Sequence, residues 1–147
     1  MARTKFGRNC KVYHGPAGTQ APTLMTDVIE ATLDLADEEV DVSTRGREFK
    51  STDVALTDAT VTIVILRKDA TQAGYEALRA AKIGKTPLAL MVLDGDKATA
   101  DSQGIDADFV VTGMSRPEPL GDGVKITFTC KINTDARDGA WVDEAGT

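Results

Sequence analysis

The residues of this chain with the best claim to chemistry are few, and each fails on spacing or setting. Gly84-Lys85-Thr86 ends like a phosphate-binding loop. That loop also needs a glycine where Arg79 stands and a helix opening after the lysine. The local pattern is the reverse, a helix that ends and a strand that follows. Asp94-Gly95-Asp96-Lys97 with Asp101 has the acidic spacing of a calcium loop. The glycine and glutamate such a loop requires are Thr99 and Ile105, so a β-turn is the better reading. His14 is the only histidine, which excludes any metal site built on two. It has Cys10 four residues away, but neither lies in a nucleophile setting. Glu38, Glu39 and Asp41 sit in a polar stretch with nothing to desolvate them, so general acid–base tuning is not expected. No enzyme, no metal and no cofactor are expected.

Cys10 and Cys130, the only cysteines, read as small buried core residues. A disulfide would need an oxidising compartment that nothing here suggests. Trp141 is a lone indole in a polar tail. Such a side chain docks either on its own domain or on a neighbour, where tryptophan is a frequent anchor.

The elements around these residues are mainly strands. A short strand is expected over Asn9–Tyr13, followed by a Gly/Pro-rich loop from His14. From Asp27 to Leu35 the residues alternate. Ile29, Ala31, Leu33 and Leu35 face one way; Glu30, Thr32 and Asp34 face the other, the pattern of a strand with one wet face. Residues 36–58 break the pattern. They are charged and thinly apolar, and loops of that length are usually functional. Val40, Val42, Phe49, Val54 and Leu56 would suit an arm that packs on another molecule.

Thr60–Arg67 is rich in β-branched residues and reads as a buried strand. Over Asp69–Ile83 the period becomes helical, with Tyr75, Leu78, Ala81 and Lys82 at helical spacing, Asp69 as cap and Gly84 as stop. Pro87–Leu93 and Asp108–Arg116 are further strands, the latter halted by Pro117 and Pro119. A turn at Gly121-Asp122-Gly123 leads to Val124–Ile132, whose Val124, Ile126, Phe128, Cys130 and Ile132 alternate with polar residues. Residues 133–147 form a polar C-terminal arm. Six or seven strands with one helix predict an antiparallel β-sandwich or barrel with a flanking α-helix, a single domain over 1–147.

The net charge of −6 argues against a protein that grips nucleic acid, since phosphate binding draws on clustered Lys and Arg. No run approaches the roughly 20 apolar residues of a membrane span. The basic start, MARTKFGRNCKVY, lacks the apolar core of a secretion signal, so cytoplasmic synthesis is expected.

Taken in order, several segments resemble one known family. They are Gly7-Arg8-Asn9-Cys10-Lys11-Val12-Tyr13, the alternating Val28–Leu35, and Val40-Asp41-Val42-Ser43-Thr44-Arg45 leading the long loop. Next come Asp69 with Leu78-Arg79-Ala80-Ala81, the strand from Leu88 to Asp96, Asp106–Val111, and Ser115-Arg116-Pro117-Glu118-Pro119-Leu120. Together they resemble the tail tube proteins (major tail proteins) of long-tailed bacteriophages and phage-like tails, over nearly the whole chain.

The resemblance implies a tail-tube fold, similar also to the tube protein of type VI secretion. It implies six-membered rings whose sheets join into an inner barrel, stacked into a tube through which DNA passes without specific binding. Its implied partners are further copies of the chain and the tail-tip or initiator, tape-measure and terminator proteins. Its implied location is the virion tail, assembled in the host bacterial cytoplasm. On this reading residues 37–56 are the stacking arm, with Asp41, Ser43, Thr44, Arg45 and Phe49 at the ring-stacking interface. Arg45 is expected to contact a carboxylate on the next ring. Glu30, Thr32 and Asp34 face the lumen or solvent, and Trp141 makes the terminal-arm contact. An acidic subunit would repel DNA phosphates within a Debye length of about 8 Å. The competing reading is a monomeric or ring-forming binding or secretion-tube module that uses the long loop for recognition.

Overall fold

The computed structural model describes residues 4, 6–7, 10–96, 98, 102–118, 120–121 and 123–145, with the side chains of 143–145 excepted. Asn9 of the first expected strand, Lys97, Thr99 and Asp101 of the rejected calcium loop, Pro119 and Asp122 near the second turn, and 146–147 of the arm lie outside them.

Among the described residues eight strands and one helix follow in the order β1 (Lys11–Pro16), β2 (Thr23–Leu24), β3 (Val28–Asp41), β4 (Thr52–Leu66), α1 (Ala73–Gly84), β5 (Leu88–Leu93), β6 (Ser102–Ser115), β7 (Lys125–Ile132) and β8 (Ala140–Ala145). The strands make one antiparallel sheet in the order β2-β1-β5-β6-β7-β4-β3. β8 pairs with β6 in line with β7: Ile132 lies opposite Phe109, and Ala140 lies opposite Asp106. The mainly β, antiparallel architecture with one helix is the one the alternation predicts.

One face of the sheet is apolar because its strands alternate in register. Val61, Ile63 and Ile65 of β4 lie opposite Cys130, Phe128 and Ile126 of β7, and all six are buried. Leu88 and Leu90 of β5 pair with Phe109 and Ala107 of β6. Val12 of β1 and Val61 of β4 come from opposite ends of the strand order yet share this core. The sheet therefore curls around it, as strand twist favours. Fully buried side chains such as Phe109, Phe128 and Leu90 each contribute roughly 1.5–3 kcal/mol. β5 and β6 approach closely at Gly104, where a Cβ would stand 1.6 Å from the Val92 carbonyl oxygen.

The helix closes the core with Tyr75, Leu78 and Ala81, three of the four residues its period singles out; the fourth, Lys82, is half-buried. Tyr75 meets Phe128 with ring centroids 6.2 Å apart. Its ends differ from expectation. Asp69 does not cap it; Gln72 is the N-cap residue, and its side chain makes no cap bond. Instead the Gln72 amide donates to Asp27 Oδ2 and the Leu66 carbonyl, and accepts from Arg67 and the Lys68 N–H. That network fixes the helix start against the entry of β3 and the exit of β4. Gly84 stays helical, and Lys85 takes the left-handed conformation at φ 54°.

The largest correction concerns residues 36–58. They are not one long loop: β3 continues to Asp41 and β4 begins at Thr52, paired as far as Asp41↔Thr52. The segment is a β-ribbon with a connecting loop at 42–51. It was invisible to burial periodicity because both faces of the ribbon are exposed. Other differences are smaller. β1 runs through Pro16, β6 begins at Ser102, and the arm beyond 133 contributes β8. Cys10 precedes β1 and is exposed, so only Cys130 is a core residue.

Candidate assembly surfaces

Among the described residues no group of three or more His, Cys, Asp or Glu is placed to hold a metal. Nor, among those residues, is any helix long and apolar enough to cross a membrane. What the fold does present is surfaces, and three are built by identifiable residues.

The first is the β3–β4 ribbon. Its loop is closed at the base by polar side chains. The Ser43 N–H donates to Asp41 Oδ1 at 2.9 Å, and Ser51 N–H donates to Ser43 Oγ at 2.7 Å. Ser43 Oγ donates to the Ser51 carbonyl, and Lys50 Nζ stands 4.0 Å from Asp41 Oδ2. The hydrogen bonds from Ser43 hold the Asp41 carboxyl below its usual pKa. Gly46, at φ 89°, turns the loop as glycine can. Of the five residues expected at a stacking interface, Asp41 and Ser43 therefore hold the loop's own shape. Thr44, Arg45 and Phe49 are exposed. Phe49 is 84% exposed and Leu56 80%, a large apolar area to leave in water.

The second is the face opposite the core. Glu30, Thr32 and Asp34 are exposed and lie opposite Val64, Thr62 and Thr60. Those in turn lie opposite Thr127, Thr129 and Lys131. The result is a wet, threonine-rich surface, with Lys131 Nζ 3.4 Å from Asp58 Oδ2. Among the described residues either edge of this part of the sheet lacks a strand partner: β3 pairs with β4 alone, and Val110–Ser115 of β6 lie past the last β5 pair, at Leu88↔Phe109. Unpaired strand edges are templates for another strand.

The third is a groove of about 670 Å³ where the start of β3 faces β1, β5 and β8. Trp141 forms part of its wall. The backbone of Trp141 docks on its own domain, opposite Ile105, while the ring remains half exposed. Ile29 is also half exposed there, because a bulge between Val28 and Glu30 interrupts the β3 ladder at this point.

The segment leading to β8 is held by a cluster that sequence reasoning missed. Arg137 Nε donates to Asp108 Oδ1 at 3.0 Å, and its terminal nitrogen donates to Asp106 Oδ1 at 2.8 Å. The Gly18 N–H donates to Asp108 Oδ2 at 2.9 Å. Asp106 and Asp108 are buried on the face of β6 away from the main core. The hydrogen bond to Asp106, ahead of the one to Asp108, raises the Arg137 pKa against the opposing effect of burial. A usable signal was present: two acids on one face of an otherwise apolar strand need a cation when buried.

No known protein family profile matches the chain, and no curated protein matches it. Solved structures do. The chain is similar to a subunit of the tail of an empty gene transfer agent particle refined with C6 symmetry, at TM-score 0.73 and 12% identity, covering 95% of this chain and 98% of that one. It is similar to the SPP1 tail tube protein at TM-score 0.73 and 11% identity, covering 96% and 80% respectively. A chain of the anti-feeding prophage tube-terminating cap aligns at TM-score 0.67 and 10% identity, over 97% of this chain and 93% of that one. The chain thus has the tail-tube fold, the fold that its sequence resemblance implies.

Proposed function

We propose that the protein is the structural subunit of a phage or phage-like tail tube, forming six-membered rings that stack around a lumen through which DNA passes. The observation that carries this reading is the pair of open edges flanking the β3-β4-β7-β6 part of the sheet. Edge strands of this length are usually capped, bulged or covered in monomers. Pairing β3 of one copy with the free stretch of β6 in the next would satisfy both edges and close a barrel. The polar face with Glu30, Thr32 and Asp34 would then line the bore, since a closed barrel tilts one face inward. Threonines and carboxylates dominate that wall, with Lys131 standing against Asp58, so phosphates meet no cluster of cations there.

Lengthwise growth is assigned to the ribbon, residues 37–56. Thr44, Arg45 and Phe49 make the contact with the next ring, and Asp41 and Ser43 keep the loop in shape for it. Partners beyond the chain itself are the tail-tip or initiator, tape-measure and terminator proteins, and the location is the virion tail after assembly in the host bacterial cytoplasm. The chain carries out no catalysis.

Negative-stain microscopy of the concentrated protein, with and without the tail-tip complex, tests this. Rings or filaments are expected; a monomer under both conditions overturns the reading. Arg45→Glu is expected to leave the circular dichroism spectrum unchanged and to stop tube growth. Tubes of ordinary length would refute the role given to Arg45.

A further inference from the structure

We propose that the groove beneath Trp141 is the seat for the ribbon loop of a second copy of this chain, with Phe49 as the inserted side chain. The proposal rests on the tube reading and adds the receptor that the ribbon lacks there.

The apolar part of the groove's lining includes Val12, Leu24, Ile29, Leu33, Val92 and Trp141. Ile29 and Trp141 are half exposed, so an apolar occupant would remove surface that now meets water. The matching apolar surface lies on the same chain but out of reach. β3 runs on from Leu33 to Asp41 before the loop begins, a further eight residues, or about 26 Å of extended strand. Phe49 lies beyond that, so a chain cannot fill its own groove, whereas a neighbour can.

Charge does not oppose the contact. Residues 45–50, RGREFK, carry Arg45, Arg47 and Lys50 against the single acid Glu48, and the groove wall carries one acid, Asp94, and one cation, Lys11, the register of β3 turning Glu30 to the polar face. Phe49 against Trp141 would add an aromatic pair, and a tryptophan beside a pocket is a frequent anchor. The contact is heterologous, ribbon of one copy to groove of the next. Every bound copy therefore presents a fresh groove or a fresh ribbon, and the contact propagates instead of closing a dimer.

Cys10 supplies the test, because it is exposed and lines the groove, while Cys130 is buried. Glu48→Cys places a thiol beside Phe49 without removing it. Each copy then carries one thiol on the ribbon and one at the groove. A short bis-maleimide added to the assembled full-length variant is expected to give a ladder of dimers, trimers and longer species on a denaturing gel. The wild type, with one accessible thiol, should give nothing beyond a dimer, and Glu48→Cys/Cys10→Ser should give no ladder. Filaments without a ladder would overturn the groove as the seat and leave the tube reading standing. Neither filaments nor ladder would overturn both. As a second arm, Trp141→Ser is expected to keep a cooperative urea transition and to lose filaments; filaments unchanged in that variant would also overturn the proposal.

Discussion

Replacing Arg137 by methionine should cost this protein about 3 kcal/mol, and the reasoning behind that figure can be refuted. The guanidinium makes two charge-assisted hydrogen bonds, to Asp106 and Asp108. Asp108 is fully buried, Asp106 nearly so, and the Arg137 side chain is 20% exposed. Methionine keeps much of the aliphatic stem but leaves two carboxylates side by side with, among the described residues, the Gly18 N–H as the one remaining donor. Removing one partner of a buried ion pair typically costs about 3–5 kcal/mol. Water reaches the arginine, so the lower end of that range applies. With a urea m-value of about 2 kcal/mol/M for a chain of this size, the midpoint should fall by about 1.5 M. Adding Asp106→Asn and Asp108→Asn to the variant should recover part of the loss, because neutral amides need no counter-charge. The single tryptophan gives a second readout. Residues 133–139 lead directly into β8, so release of Arg137 should make Trp141 more accessible to acrylamide well below the main transition. A midpoint within about 0.5 M of wild type, with unchanged quenching, would mean that the cluster contributes little and that β8 is held by its ladder alone.

Three further outcomes follow from local chemistry. In the unassembled native protein near neutral pH, iodoacetamide should add one group, at exposed Cys10. Burial pushes the Cys130 thiol up to about 12, so that residue should react only after denaturation; two adducts by mass spectrometry under native conditions would contradict the packing of β7. The Asp27 carboxyl is held below its ordinary 3.8 by hydrogen bonds from Lys68, first, and Gln72. Its contribution to stability is present above pH 3.8 and lost as the pH falls through the lower folded value. The urea midpoints of wild type and Asp27→Asn should therefore converge below that pH, and a constant gap would exclude the linkage. Finally, Lys85 adopts a left-handed conformation at φ 54° at the end of α1. Lys85→Gly should stabilise the protein by about 0.5–1 kcal/mol, measured as a raised midpoint, whereas a lowered one would show that the lysine is not strained there.

What the sequence determined by itself is what depends on neighbours along the chain. The alternation of Ile126, Phe128, Cys130 and Ile132 with polar residues specifies β7 and its core face, since side chains on a strand have period two. Tyr75, Leu78 and Ala81 specify the helix and the stripe it buries. The mismatched spacings around Lys85 and Asp94 give no support to a phosphate or calcium loop, and the ordered segments from Gly7 to Leu120 point to the tail-tube fold. Only the tertiary structure decided what depends on partners far apart. The ribbon of residues 36–58 has no buried face, so its strands are defined by the backbone ladder between β3 and β4 and leave no hydrophobic period to read. Asp106, Asp108 and Arg137 meet across about thirty residues, a distance at which charge patterning along a chain carries no register. The groove under Trp141 exists because the sheet curls until β1, β5 and β8 face the start of β3. Curling brings together residues that no local pattern relates, and it leaves half of Ile29 and half of Trp141 in water, where another copy could cover them.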